Sequence, residues 1–297
     1  MTETATKSYT LIDGRKIAGE IKQEITQKVI ERKQAGKKIP HLAFILVGDD
    51  GASQTYVDHK VKACKDVGFH YTMMRFADTI SEEKLSKHIV AVNNDDDVDG
   101  FIVQLPLPPH ISVEHITDKI RPDKDVDGFT NRNFGSIVSK VPLLMPATPF
   151  GVIELLRRYN IETEGKHAVV VGASRIVGAP LSMMLAEHGH ATVTICHKYT
   201  VNLKAYTQMA DILLVGVGKP GLITADMVKE GAVVIDIGTT RVEDPSKPTG
   251  YSMKGDVDFK NVAPKCSFIT PVPGGVGPMT IASLLLNTLR ATELSHP

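Results

Sequence analysis

Apolar residues at Ile17, Ile21, Ile25 and Val29 recur at every fourth position, the spacing that puts one stripe on a helix face. Asp13 precedes the stripe and can cap a helix there, and Gly36 follows it and can end one. The pattern then changes. Residues 42–47 form a short unbroken apolar run rich in strand formers. Residues 52–67 return to helical spacing and close at Gly68, a residue suited to a left-handed end. A strand is expected over 71–76. A helix follows over 81–92, with Ser81 as its cap and Leu85 and Ile89 on its buried period. Residues 100–105 read as a buried strand that runs into Pro106, Pro108 and Pro109. Strands alternating with helices imply a largely parallel sheet.

Over residues 141–149 proline accumulates and charge thins, which places a domain boundary there. A helix over 150–159 leads into a second α/β series. Strands are expected over 168–171, 192–196, 212–217 and 233–237, with a helix over 176–187. A strong helix over 279–293 follows Gly274-Gly275-Val276-Gly277-Pro278. The fold class is therefore α/β in two domains, the first over 1–145 and the second, Rossmann-type, over 146–278.

A chain of 297 residues with 42% apolar content can supply a core to each. Lys plus Arg numbers 34 and Asp plus Glu numbers 34, so there is no broad basic field of the kind that binds nucleic acid. Cys64, Cys196 and Cys266 are too scattered for a disulfide framework or a metal site, and they fit a reducing cytoplasm. Residues 1–12 are polar and lack the apolar stretch of a secretory signal, and no apolar run is long enough to span a bilayer.

The candidate chemistry lies in two places. Tyr56 and Lys60 are four apart in a predicted helix, so a phenol and an ammonium share one face. About a hundred residues later comes Val169-Val170-Val171-Gly172-Ala173-Ser174-Arg175-Ile176-Val177-Gly178, a strand running into a glycine-bearing turn and a helix. That context suits a dinucleotide: Gly172 permits the turn, Gly178 permits close packing, and the helix start offers N–H groups to a pyrophosphate. Ser174 replaces the usual middle glycine and Gly178 comes one residue late, so the turn alone also fits an ordinary strand–helix junction. The next strand ends Cys196-His197-Lys198 with no acid for a ribose 2′-hydroxyl. Lys198 suits a 2′-phosphate instead, which favours NADP. A reactive lysine on one domain and a dinucleotide turn on the other suggest catalysis between them.

Further motifs make a family resemblance specific. They are Ala52-Ser53-Gln54-Thr55-Tyr56-Val57 with Lys60, then Asp99-Gly100-Phe101-Ile102-Val103-Gln104-Leu105-Pro106, then Pro122-Asp123-Lys124-Asp125-Val126-Asp127-Gly128-Phe129, and Thr270-Pro271-Val272-Pro273-Gly274-Gly275-Val276-Gly277-Pro278. In this order they closely resemble the bifunctional methylenetetrahydrofolate dehydrogenase/methenyltetrahydrofolate cyclohydrolase family, nearly end to end.

The resemblance implies oxidation of 5,10-methylenetetrahydrofolate with NADP, then hydrolysis to 10-formyltetrahydrofolate. It also implies a cytoplasmic homodimer and a last helix packed back on the first domain. Lys60, Gln104 and Asp127 are the expected catalytic set: Lys60 handles protons, Gln104 holds it, and Asp127 matches the family's pterin-binding aspartate, with Asp125 its confusable neighbour. Tyr56 is expected to stack on the folate, with Ser53, Pro273, Gly274 and Gly275 also on the substrate side. Gly172, Ala173, Ser174, Arg175, Ile176, Val177, Gly178, His197, Lys198 and Thr239 are the expected cofactor contacts. No metal is implied. Ala173 and Thr239 stand where many members have other residues, which leaves Lys198 or Arg175 to recognise a 2′-phosphate. Rival readings are a dehydrogenase without the hydrolytic step, a shikimate-dehydrogenase-like oxidoreductase, and a dinucleotide-binding protein without catalysis.

Overall fold

A computed structural model describes residues 9–139, 143–248 and 250–296. The first eight residues, assigned from sequence to the first domain, and residues 141 and 142, at the head of the expected boundary, lie outside that range. The described chain forms two compact units. One holds the chain up to Ala18 together with Thr148–Thr280, and the other holds Gly19–Ala147 and the chain from Ile281 on.

The second of these units is built on a three-stranded parallel sheet in the order His70–Phe76, His41–Val47, Gly100–Val103. The central strand is buried along almost its whole length, which is why it reads as an unbroken apolar run. The helix Gly51–Val67 follows it. Asp50 caps that helix by accepting the Ser53 N–H at 2.7 Å, and Gly68 closes it at φ 82°. The helix Glu82–Asn93 starts under Ser81 and packs Leu85 and Ile89 against Phe101 and Val103.

Strand Gly100–Val103 ends two residues before the sequence limit. Gln104 N–H still donates to the Ile45 carbonyl at 2.9 Å, but Pro106 has no N–H with which to continue. The edge is taken up instead by residues 124 and 125, with Phe101 N–H donating to the Lys124 carbonyl at 3.0 Å. Short helices Val113–Thr117 and Asn131–Val138 complete this region. The last helix, Val276–Ser295, belongs to this unit from Ile281 on. Its buried Asn287 donates to the Val126 and Met145 carbonyls at 2.8 and 2.7 Å.

The other unit is built on a six-stranded parallel sheet, ordered Thr10–Leu11, Phe268–Ile269, Val233–Asp236, Ile212–Val215, His167–Val171, Thr192–Cys196. From His167–Val171 the chain goes out to Thr192–Cys196 on one side and then crosses to Ile212–Val215 on the other. Such a reversal opens a crevice beyond the carboxyl ends of the strands. A small antiparallel pair, Thr240–Glu243 with Tyr251–Lys254, lies after the Val233–Asp236 strand. The helix Gly178–Glu187 starts two residues later than its periodicity suggests, and Ala147–Arg158 starts three earlier.

The N-terminal strand corrects the sequence reading, which gave residues 1–145 to one domain. Thr10 N–H donates to the Ser267 carbonyl and Ile12 N–H to the Ile269 carbonyl, both at 2.8 Å, so this segment extends the six-stranded sheet. Two-residue strands have no period to read, and only a partner edge defines them. Among the described residues no helix is long and apolar enough to cross a membrane.

Candidate active site

In the three-stranded unit, the helix Gly51–Val67 and the carboxyl end of the sheet bring three of the expected residues together. Lys60 is 6% exposed, and its Nζ donates to Gln104 Oε1 at 3.2 Å. The same Nζ lies 3.8 Å from Asp127 Oδ2. Gln104 is fixed at the end of its strand, and its Nε2 donates to the Leu105 carbonyl at 2.8 Å, so its oxygen is turned to the lysine. Asp127 is held by its backbone: its carbonyl accepts the Ala147 N–H at 3.1 Å. The next residue, Gly128, has φ 72°, and a Cβ there would lie 2.5 Å from the Pro146 backbone. Glycine is needed at that position for both reasons.

The two neighbouring aspartates have different surroundings. Asp125 is 1% exposed and accepts from Phe129 N–H, Thr130 N–H and Asn133 Nδ2 at 3.1, 2.8 and 2.9 Å. It knots its own loop, and burial pushes its carboxyl up against the pull of those donors. Asp127 is the one beside the ammonium.

Ser53 is buried in the first turn of the Lys60 helix, whereas Tyr56 is 46% exposed one turn before Lys60, with its ring open to a ligand. Cys64, one turn beyond, is wholly buried, and burial pushes its thiol up to about 12, so it is no nucleophile.

The glycine-bearing turn lies at the switch point of the six-stranded sheet. Gly172 has φ 123°, and a Cβ on it would lie 2.4 Å from the Gly216 carbonyl oxygen. A Cβ on Gly178 would lie 1.8 Å from the Gly172 carbonyl oxygen. Both glycines therefore serve close backbone packing. Ala173, Ser174, Arg175 and Ile176 are exposed along the turn, and Val177 is half-buried. Ser174 does more than replace a glycine. Its Oγ accepts Val177 N–H at 3.2 Å and Gly178 N–H at 3.4 Å, occupying amides at the helix start.

Beyond the neighbouring strand, Lys198 is exposed with its Nζ 4.8 Å from the centre of the Tyr199 ring. His197 N–H donates to Thr200 Oγ1 at 2.9 Å, and Thr239 is exposed just after Gly238.

In the Thr270–Gly275 loop of the same unit, Pro273 is exposed and Gly274 has φ 113°. The Gly274 carbonyl accepts Arg15 N–H at 3.1 Å, and Gly275 N–H donates to the Pro271 carbonyl at 2.9 Å. A Cβ on Gly14 would lie 1.8 Å from the Gly275 carbonyl oxygen, so the loop is seated on the N-terminal segment.

Sequence reading missed two buried acids on this carboxyl edge, Asp236 and Asp256. The available signal was an acid beside a glycine in Asp236-Ile237-Gly238 and Gly255-Asp256, the first at the end of an apolar strand. Among the described residues no group of three His, Cys, Asp or Glu is placed to hold a metal ion.

Two family models match the chain. Residues 12–127 match the tetrahydrofolate dehydrogenase/cyclohydrolase catalytic domain, and residues 146–296 match its NAD(P)-binding domain. The bifunctional protein FolD of Cytophaga hutchinsonii is 54% identical over 96% of this chain and 99% of its own. The crystal structure of the bifunctional FolD enzyme from Campylobacter jejuni is 45% identical, with TM-score 0.91, over 96% of this chain and 99% of that one. The FolD methylenetetrahydrofolate dehydrogenase-cyclohydrolase of Trypanosoma brucei, crystallised with NADP cofactor and inhibitor, is 38% identical with TM-score 0.92 over 97% of this chain and 98% of that one. On matches of this length and identity, the chain belongs to the tetrahydrofolate dehydrogenase/cyclohydrolase family.

Proposed function

We infer that the protein oxidises 5,10-methylenetetrahydrofolate to the methenyl cation with NADP and then hydrolyses that cation to 10-formyltetrahydrofolate. The observation that carries this reading is the buried Lys60, held between the Gln104 oxygen and the Asp127 carboxylate in a chain of this family. In the first step a hydride leaves the methylene carbon for the nicotinamide. That transfer needs alignment and no acid or base. In the second, water adds to the methenyl carbon, a proton is lost, and a carbon–nitrogen bond opens. A positioned amine can relay that proton. Gln104 orients the Lys60 amine, and Asp127 accepts N–H groups of the pterin. Tyr56 offers its exposed ring for stacking. Ser53 supports this helix start, and Pro273, Gly274 and Gly275 form a stiff, side-chain-poor approach for the substrate.

The Lys60 unit is read as the folate domain and the six-stranded unit as the NADP domain. In the latter, residues 172–178, His197, Lys198 and Thr239 make the dinucleotide contacts. NADP is supported by a relative solved with it and by a strand end that carries Lys198 and no acid.

The protein is further proposed to be a cytoplasmic homodimer joined through its nucleotide domain. The edge strand Thr192–Cys196, with its Ile195 39% exposed and Val201 85% exposed just after it, supports that face. A monomer mass on gel filtration across working concentrations would remove the dimer.

The function is tested by following NADPH and the methenyl intermediate together, starting from 5,10-methylenetetrahydrofolate and NADP⁺. NADPH with little methenyl build-up, and hydrolysis of added methenyl substrate, are expected. NADPH with accumulating methenyl leaves a dehydrogenase alone, and no NADPH overturns the reading.

A further inference from the structure

The two buried acids on the carboxyl edge of the six-stranded sheet take no part in the steps above. Asp236 ends its strand and is 4% exposed, and Asp256 is 0% exposed. Each carboxylate clamps loop amides. Asp236 Oδ1 accepts the N–H groups of Gly238 and Asp256, both at 3.0 Å, and its Oδ2 accepts that of Val257 at 2.9 Å. Asp256 Oδ2 accepts the N–H groups of Val217 at 2.6 Å and Gly218 at 2.9 Å.

Glycines let the backbone pass directly over these groups. A Cβ on Gly255 would lie 2.0 Å from Asp236 Oδ2, and one on Gly238 would lie 2.2 Å from Asp256 Cγ. The clamped loop also meets the dinucleotide turn. Gly216 N–H donates to the Val171 carbonyl at 2.9 Å, and the Gly216 carbonyl packs on Gly172. On the other side, Gly238 leads directly to Thr239.

One oxygen of the pair has nothing to bond. Asp256 Oδ1 is buried and has no hydrogen-bond partner among the described residues. Leaving such an acceptor empty in a dry site is costly, and two neighbouring buried carboxylates resist ionising together. Burial, and after it the Asp256 charge, push the Asp236 carboxyl up to about 6 against the pull of three amides.

We propose that Asp236, buried beside the Asp256 carboxylate, keeps a proton and that the two acids act as positioning residues for loops 216–218 and 238–239, so that losing the Asp236 proton to solvent loosens the loops and weakens dinucleotide binding. The proposal rests on the reading of this unit as the NADP domain. The sign follows from linkage. Folded Asp236 keeps a proton that an unfolded aspartate has already released, so its deprotonation acts against the folded loops as pH rises through about 6.

The test measures NADP⁺ dissociation constants for the wild type and for Asp236→Asn at about pH 5 and about pH 7.5, bracketing the Asp236 titration. Comparing the two proteins at each pH cancels the titration of the dinucleotide's own phosphate, which falls near pH 6. Between these pH values the wild-type constant should rise about fivefold more than that of Asp236→Asn. An equal pH response in both proteins overturns the proposal and leaves the NADP reading intact. Failure of the wild type to bind NADP⁺ at either pH overturns that reading and the proposal with it.

A carboxyl carbon NMR titration of the ligand-free wild type decides the matter even where the variant does not fold. A titration of Asp236 near pH 6 supports the proposal, and one confined to the ordinary aspartate range, near 3.8, overturns it.

Discussion

In the unit built on three strands the expected site is a cluster of buried side chains, and in the unit built on six it is a turn shaped by its backbone. In the first, an ammonium, an amide and a carboxylate are drawn together on buried positions of a helix, a strand end and a loop. In the second, the expected contacts are mostly exposed side chains on a turn whose shape depends on missing Cβ atoms at Gly172 and Gly178. The difference follows the chemistry. Moving a proton beside a cationic carbon needs a desolvated functional group. Holding a pyrophosphate needs N–H groups that every residue carries, brought close by glycine.

Substitutions separate the two modes. The largest effect is expected at Lys60. Lys60→Met should lower cyclohydrolase turnover by about a hundredfold or more while dehydrogenase turnover partly survives. Separate assays of the two steps check this, and equal retention of both would remove Lys60 from the mechanism.

Asp127→Ala should raise the folate KM by about tenfold or more, the scale of a lost hydrogen bond to a charged group. Asp125→Asn is the control that sharpens it. Its carboxylate is spent on Phe129, Thr130 and Asn133, so that change should alter thermal stability and leave folate affinity near wild type.

Gly178→Ala tests the backbone mode. It forces a Cβ against the Gly172 carbonyl and should cost about 1–3 kcal/mol of stability, together with NADP affinity. Calorimetry and NADP⁺ titration read the two separately. Unchanged NADP affinity would show that the turn does not form the phosphate site.

Tyr56→Ala should raise the folate KM by about three- to tenfold through lost stacking. Lys198→Ala, at an exposed site screened by water, should weaken NADP only about two- to fivefold and leave NAD unchanged. A parallel loss for NAD would deny it a role at the 2′-phosphate.

Much of both regions was legible from residue order. The stripe from Ile17 to Val29, the apolar runs at 42–47 and 212–217 (the second pairing as a strand only over 212–215), and the helix ends marked by Ser81 and Gly68 are local signals, fixed by helix and strand periods and by the hydrogen bonds of chain ends. The Tyr56–Lys60 spacing and the strand–turn–helix at Gly172 are of the same kind. Three other features were decided only by tertiary contacts. The N-terminal strand Thr10–Leu11 exists because an edge of the six-stranded sheet is there to pair with it. Asp125 and Asp127 differ because three donors converge on one and an ammonium sits beside the other. Asp236 and Asp256 become a buried pair only when strand ends more than fifteen positions apart close over them. Periodicity is a property of neighbours in sequence. Burial, and with it the fate of an acid, is set by whatever the rest of the chain places opposite.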